Sequence, residues 1–242
     1  MNPPAPLGRF LEFSIATPAI LEAWEFYQRL GFAAGDTTDA WPHRYAACGD
    51  GRLALGLHGL PARPPTLSYV LPELARRLAA FEAVGIEFER RVIAEDSFNE
   101  AEFCDPDGHR VRLLEARTFS PPAAVGGSAL GWFEEVALPV AELDRARAFW
   151  EALGFVTVSE GELPWPHLSL TSDTLGLGLY QTREFDAPAL SFSADDPGVV
   201  RARLAAVGIE PQQQLPKPLD PAQHLLVIAP DGTRLLLMPT SG

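Results

Sequence analysis

The chain is written twice, and each copy reads again as two related pieces. The stretch Glu12-Phe13-Ser14-Ile15-Ala16, running through Trp24 to Phe26-Tyr27 and Leu30-Gly31-Phe32, returns as Glu135-Val136-Ala137-Leu138, running to Phe149-Trp150 and Leu153-Gly154-Phe155. Trp41-Pro42-His43 returns as Trp165-Pro166-His167, Ala83-Val84-Gly85-Ile86-Glu87 as Ala206-Val207-Gly208-Ile209-Glu210, and Pro106-Asp107-Gly108 as Pro230-Asp231-Gly232. A repeat of this kind constrains the architecture before any single residue is weighed. It also lets each position be compared with its own counterpart.

A length of 242 residues suits one large domain or two ordinary ones, and the repeat decides for two. With 47% apolar and 21% charged residues the chain can bury a core, which excludes a disordered chain. No apolar run reaches the roughly 18 residues of a membrane span. The start, Met1 to Gly8, is proline-rich and lacks the basic and apolar regions of a secretion signal. Cys48 and Cys104 show no CxxC spacing and no counterparts in the second half, so they read as reduced strand or core residues of a cytoplasmic protein. The net charge of −13, with no basic patch set aside, excludes a nucleic-acid partner. That charge serves solubility, and it would also attract a cationic small molecule.

Each half opens with an alternating strand. In Arg9 to Thr17, Glu12, Ser14 and Ala16 share one face, and Phe13 and Ile15 the other. A helix follows, with Ile20, Trp24, Tyr27 and Leu30 at helical spacing and Gly31 as its stop. Three strands are expected near Gly31–Gly35, His43–Cys48 and Arg52–His58, and Gly59 to Pro65 reads as a connector. The next piece repeats the plan. It has a strand Thr66–Leu71, a helix Glu73–Val84 with Leu74, Leu78 and Phe81 on one side, a turn at Asp105-Pro106-Asp107-Gly108 and a last strand His109–Glu115. The pattern predicts βαβββ four times, in modules of about 9–60, 65–117, 130–183 and 188–239. The first domain is expected at 1–117 and the second at 130–242, with 118–129, almost free of charge, as the linker.

That order, with Phe-Tyr late in the first helix and Pro-Asp-Gly before the last strand, resembles the vicinal-oxygen-chelate superfamily, the group of glyoxalase I, extradiol dioxygenases, methylmalonyl-CoA epimerase and bleomycin-resistance proteins. The resemblance implies an α+β fold in which two modules pair into a curved cup of mixed β-sheet with outer helices. It also implies a divalent metal in the cup, held by His, Gln or Glu of the first strand of each module and Glu of the last.

Carried onto this sequence, those positions fall on Glu12, Thr66 and Arg112 in the first half and on Glu135, Ala189 and Leu236 in the second. His58 and Tyr180 are the only further donors from the neighbouring strands. Exchanging module partners gives Glu12 with Ala189 and Leu236, or Glu135 with Thr66 and Arg112. No arrangement supplies the three or four donors such an ion needs, so no metal and no other cofactor are expected. In its place Glu12 and Arg112 are expected to pair, either to hold a polar ligand group or merely to satisfy two strand residues. Glu12 and Glu135 are the candidate general bases; alternatively each is exposed at a sheet edge.

Trp41, His43, Trp165 and His167 form the second recurring group. They are read as aromatic walls for a flat ligand or as plugs that only pack. Gly56, Gly176 and Gly178, inside strands, mark a pocket floor framed by His58 and Tyr180, or sheet curvature. His109 and His224, without counterparts, are expected on the surface.

The expected function is metal-independent binding of a small organic ligand, sequestering a cationic or aromatic compound, with Trp41, His43, His58, Arg112, Trp165, His167 and Tyr180 lining the sites. The alternative is an enzyme (lyase, isomerase or dioxygenase) using Glu12, Glu135 or both. A third reading is a structural protein with filled cups. No membrane partner is expected. Four modules complete two cups in a monomer, and homo-oligomers remain open.

Overall fold

The computed structural model describes residues 5–35, 43–94, 98–116 and 127–239. Trp41 and most of the expected linker fall outside them.

The first module runs β1 (Arg9–Ala16), α1 (Ile20–Arg29), β2 (Ala33–Ala34), β3 (Tyr45–Gly49) and β4 (Ala54–His58). The second runs β5 (Arg63–Leu71), α2 (Leu74–Ala83), β6 (Phe88–Val92), β7 (Glu100–Cys104) and β8 (Arg110–Glu115). The third runs β9 (Trp132–Pro139), α3 (Leu143–Ala152), β10 (Val156–Gly161), β11 (His167–Thr171) and β12 (Gly176–Tyr180). The fourth holds β13 (Ala189–Ala194), α4 (Pro197–Ala206), β14 (Leu225–Ile228) and β15 (Arg234–Pro239).

Two mixed sheets result. One has eight strands in the order β2-β3-β4-β1-β5-β8-β7-β6, the other seven in the order β10-β11-β12-β9-β13-β15-β14. Within modules the first strand lies parallel to the last, as Phe13 opposite Leu55 and Leu190 opposite Leu235 show. The remaining strands are antiparallel.

The fourth module corrects the expectation of four equal repeats, because it has three strands rather than four. The segment after α4 carries Pro211, Pro216, Pro218 and Pro221. Prolines lack the N–H that a ladder needs, so this stretch turns where its counterpart forms β6. At Gly59–Pro65 the opposite holds. The strand begins at Arg63 and takes in Pro64 and Pro65, which lie among its first, less covered residues.

Gly31 ends α1 at φ +98°, and Gly154 ends α3 at φ +94°. The amide of Gly31 bonds to the Gln28 carbonyl, a left-handed helix stop that a side chain would strain.

Packed residues divide the chain into two compact units, each combining one module of each half. The first comprises Met1–Glu12, Thr66–Ser120 and Leu138–Arg183. Its core holds Tyr69, Phe81, Phe103 and Trp150. Asp107 accepts from the Ala141 amide at 2.9 Å and pairs with Arg145 at 3.0 Å, while His109 Nε2 lies 2.8 Å from the Pro139 carbonyl. His109 is therefore buried, against expectation, because that carbonyl satisfies its ring.

The second unit comprises Phe13–Pro65, Pro121–Ala137 and Glu184–Gly242, around Phe13, Tyr27, Phe32 and Phe192. Here the Ala129 amide bonds to the Leu30 carbonyl and Arg29 reaches the carbonyls of Val207 and Gly208. Burial, and then the charge of Asp231, push the Tyr27 phenol well above its ordinary range. His224 is buried as well, with Nδ1 3.0 Å from the Asp220 carbonyl, again contrary to the surface expectation.

Candidate functional site

In the first unit the polar face of β1 and β5 turns inward. Glu12 is 2% exposed, and Thr66 and Ser68 are fully covered. The strand alternation is right, yet both faces of β1 beyond Arg9 are covered, so Glu12 does not sit at an exposed edge. Arg112 is buried on β8, beside Ser68 on β5 and opposite Glu102 on β7. Its Nε donates to Glu102 Oε1 at 2.7 Å, and Glu102 Oε2 receives Arg110 at 3.3 Å. Arg110 in turn reaches Glu89 at 3.0 Å. One partner that sequence reasoning missed is Glu102, since nothing in the sequence alone fixes which residue of β7 stands opposite Arg112. Glu12 and Arg112 lie on β1 and β8 with β5 between them.

Also in this unit, Trp165, His167 and Tyr180 come together. His167 is cross-strand neighbour to Tyr180, and the two rings stack at 5.2 Å and 22°. Trp165 stands edge-on to Tyr180 at 6.1 Å and 89°. His167 Nδ1 lies 2.9 Å from the Trp165 carbonyl, a local bond that fixes the imidazole. The pocket reading and the packing reading share this geometry. Trp165 is 7% exposed and Tyr180 6%.

In the second unit the sequence-derived residues His43 and His58 meet. His43 Nε2 and His58 Nδ1 are 2.9 Å apart, and one ring must donate while the other accepts. Tyr45, absent from the sequence-derived set, is cross-strand neighbour to His58, with ring centres 5.0 Å apart. His58 is buried and His43 half-exposed, so the pair leads from solvent toward the interior. Elsewhere in this unit Glu135, 8% exposed, stands on β9 opposite Ser191, and Ser191 stands beside Leu236. A register shift there leaves Glu134 extra in its strand, where it accepts from the Ser193 hydroxyl.

The ligand positions that the resemblance implies hold Glu12, Thr66 and Arg112 in the first half and Glu135, Ala189 and Leu236 in the second. One position holds a guanidinium already bound to a carboxylate, and its repeat counterpart holds Leu236. Among the described residues no group of three or more His, Cys, Asp and Glu could hold a metal ion.

The sheet order, the module plan and the inward polar strand positions are those of the vicinal-oxygen-chelate fold in its tandem form, with two sheets in one chain. Among solved structures the chain resembles extradiol dioxygenases. Homoprotocatechuate 2,3-dioxygenase from Brevibacterium fuscum matches with a TM-score of 0.67 at 14% identity, over 98% of this chain and 72% of that one. The 2,3-dioxygenase LapB from Pseudomonas sp. KL28 matches with a TM-score of 0.63 at 15% identity, over 97% and 92%. A catechol 2,3-dioxygenase matches with a TM-score of 0.63 at 15% identity, over 98% and 89%. At this identity the likeness establishes the fold. By sequence, the chain matches no protein-family model and no characterised protein.

Proposed function

We propose that this chain binds a small organic molecule without a divalent metal, using buried polar strand positions that the fold elsewhere gives to metal ligands. The observation that carries the reading is the Arg112–Glu102 pair. A guanidinium fixed at 2.7 Å to a carboxylate repels a cation at the same place and offers charge for a polar ligand group. Glu12 in the first unit, with the Trp165–His167–Tyr180 rings, and His43 with His58 in the second supply acidic and aromatic surfaces suited to a cationic or aromatic compound. The reading takes residues 1–117 and 130–242 as the two sheet-forming halves, and a cytoplasmic monomer as sufficient. Among the described residues no helix is long and apolar enough to cross a membrane.

Elemental mass spectrometry before and after dialysis against zinc, nickel, manganese and iron tests the first clause. A stoichiometric ion retained after dialysis overturns it. Calorimetric titration with cationic and neutral aromatic compounds tests the second, and Glu12→Gln and His58→Phe should each weaken the bound compound severalfold.

A second reading is favoured by the burial of Glu12 and Glu135, since a desolvated carboxylate is suited to take a proton. In it the chain is an enzyme of the lyase, isomerase or dioxygenase type acting on a small organic substrate. Turnover of a thiohemiacetal or a catechol that disappears in Glu12→Gln or Glu135→Gln would select this reading over sequestration.

A further inference from the structure

The second unit opens a cleft of about 310 Å³ between the start of β9, the end of β13 and the first two turns of α4, within the range of about 300–1,000 Å³ usual for small-molecule sites. Gly131 and Ala194 meet there, since a Cβ on Gly131 would stand 3.1 Å from the Ala194 Cβ. The walls are reachable from solvent. Trp132 is 58% exposed and Val199 45%, and Asp195, Asp196 and Arg203 are exposed as well; of the lining residues only Val200 is buried.

The first half carries different residues at the same repeat positions. Leu71 stands where Ala194 does, Arg76 and Arg77 where Val199 and Val200 do, and Arg9 where Trp132 does. Arg77 donates to the Pro6 carbonyl at 2.9 Å, and Arg76 pairs with Glu73. Exchanging a leucine for alanine and two arginines for valines removes bulk and charge together. The cleft and its apolar wall are thus features of the second half's own sequence, not of the module.

The charges are spread along α4. Asp196 caps the helix, its Oδ1 accepting from the Gly198 amide at 2.7 Å, so the helix end already holds its anion. The Asp195 carboxylate and the Arg203 guanidinium have no hydrogen-bond or ion-pair partner among the described residues. Seven residues separate Asp196 from Arg203, a rise of about 10 Å, beyond the three or four residues over which helix side chains pair. Acidic groups therefore stand at one end of the cleft and a basic group toward the other. Arg52, 4.2 Å from the centre of the Trp132 ring, adds a second positive charge at the rim. Two charges of each sign free this place from the acidic excess of the whole chain, whose net charge is −13.

We propose that this cleft is a further ligand site, for a zwitterionic α-amino acid whose side chain carries an apolar ring. The ammonium donates to Asp195, Arg203 donates to the carboxylate, and the ring lies against Val199 and the exposed part of Trp132. A guest with both charges bridges ends that the helix holds too far apart to pair, whereas an amine or an acid alone satisfies one end only. None of the residues assigned to ligand binding above lines this cleft, so the site stands or falls independently of that function.

The test uses the full chain and three probes. They are L-phenylalanine, phenethylamine (which lacks the carboxylate) and 3-phenylpropanoate (which lacks the ammonium). Each is titrated while amide NMR shifts are followed. L-Phenylalanine should bind tightest and move signals of residues 131–132 and 194–203. Arg203→Gln should weaken it about fivefold while leaving phenethylamine unchanged, and Asp195→Asn should weaken it as much while leaving 3-phenylpropanoate unchanged. Ala194→Leu, which restores the residue of the first half, should abolish binding of all three. Both polar variants lie on the surface, so they decide the matter even where Ala194→Leu fails to fold. Equal affinity of L-phenylalanine for either polar variant and the native chain overturns the proposal. So do shifts confined to other residues, tighter binding by a singly charged probe, or no binding of L-phenylalanine up to about 10 mM.

Discussion

Arg112 donates its Nε–H to Glu102 across neighbouring antiparallel strands at 2.7 Å, with both side chains 6% exposed. Glu102 stands between two guanidiniums, because Arg110 approaches its other oxygen at 3.3 Å. Charges this deeply covered are stable only together. The attraction offsets a desolvation cost that neither residue could meet alone.

Arg112→Ala should lower the unfolding free energy by about 3–5 kcal/mol, since it removes the buried guanidinium beside Glu102 and leaves that carboxylate next to the more exposed Arg110. Replacing both, as Arg112→Leu with Glu102→Leu, should restore most of that loss. Urea denaturation of the single and double variants gives the coupling directly, and an additive double variant would show that the two side chains act independently.

Gly31→Ala should cost about 1–2 kcal/mol, because φ is +98° and a new Cβ would lie 2.9 Å from the Gly127 carbonyl oxygen. Gly85→Ala shares the left-handed strain but meets no atom within 4 Å, so it should cost less. Thermal unfolding of the two variants separates the conformational part from the contact.

Asp105 is held above its ordinary value of 3.8, chiefly by burial, while the charge of His109 and the amides of His109 and Asp107 oppose the shift. The native chain thus binds this proton more tightly than the unfolded chain. The stability it contributes is present at low pH and is lost as pH rises from about 3.8 through the native value. Asp105→Asn keeps an oxygen acceptor for the turn and removes the charge. Between about pH 4 and pH 7 its stability should therefore decline less than that of the native chain, as parallel melting curves would show.

Cys104 has its thiol pushed up to about 11, by burial first and then by Glu89. Little thiolate exists near neutral pH, so reaction with a disulfide reagent at about pH 8 should be much slower than for a free thiol. Cys48 is buried, and both should react promptly once the chain is unfolded in urea. Fast labelling of the folded chain at Cys104 would contradict the assigned environment.

The repeat carried most of the architecture. Helix stops at Gly31 and Gly154, the alternation of β1 and the turn at Asp105–Gly108 are local signals, written in a few adjacent residues, and the structure places each where the pattern does. The fourth module departs because its prolines are local too, although the repeat masks them. The burial of His109 and His224 was not legible, since each ring is satisfied by a backbone carbonyl that no composition or spacing reveals. Of the candidate residues, His43 with His58, and Trp165 with His167 and Tyr180, could be grouped from the sequence because each set lies on, or just ahead of, neighbouring strands of one module.

Short-range periodicity and backbone preference set the module: its strands, helix, turns and the inward placement of polar strand positions. Partnership between side chains is settled by packing across strands. Glu102 stands opposite Arg112, Tyr45 joins the two histidines, and the buried Tyr69 hydroxyl has no partner among the described residues. Those relations depend on strand register and on long-range packing, where a shift of one residue turns a side chain to the opposite face.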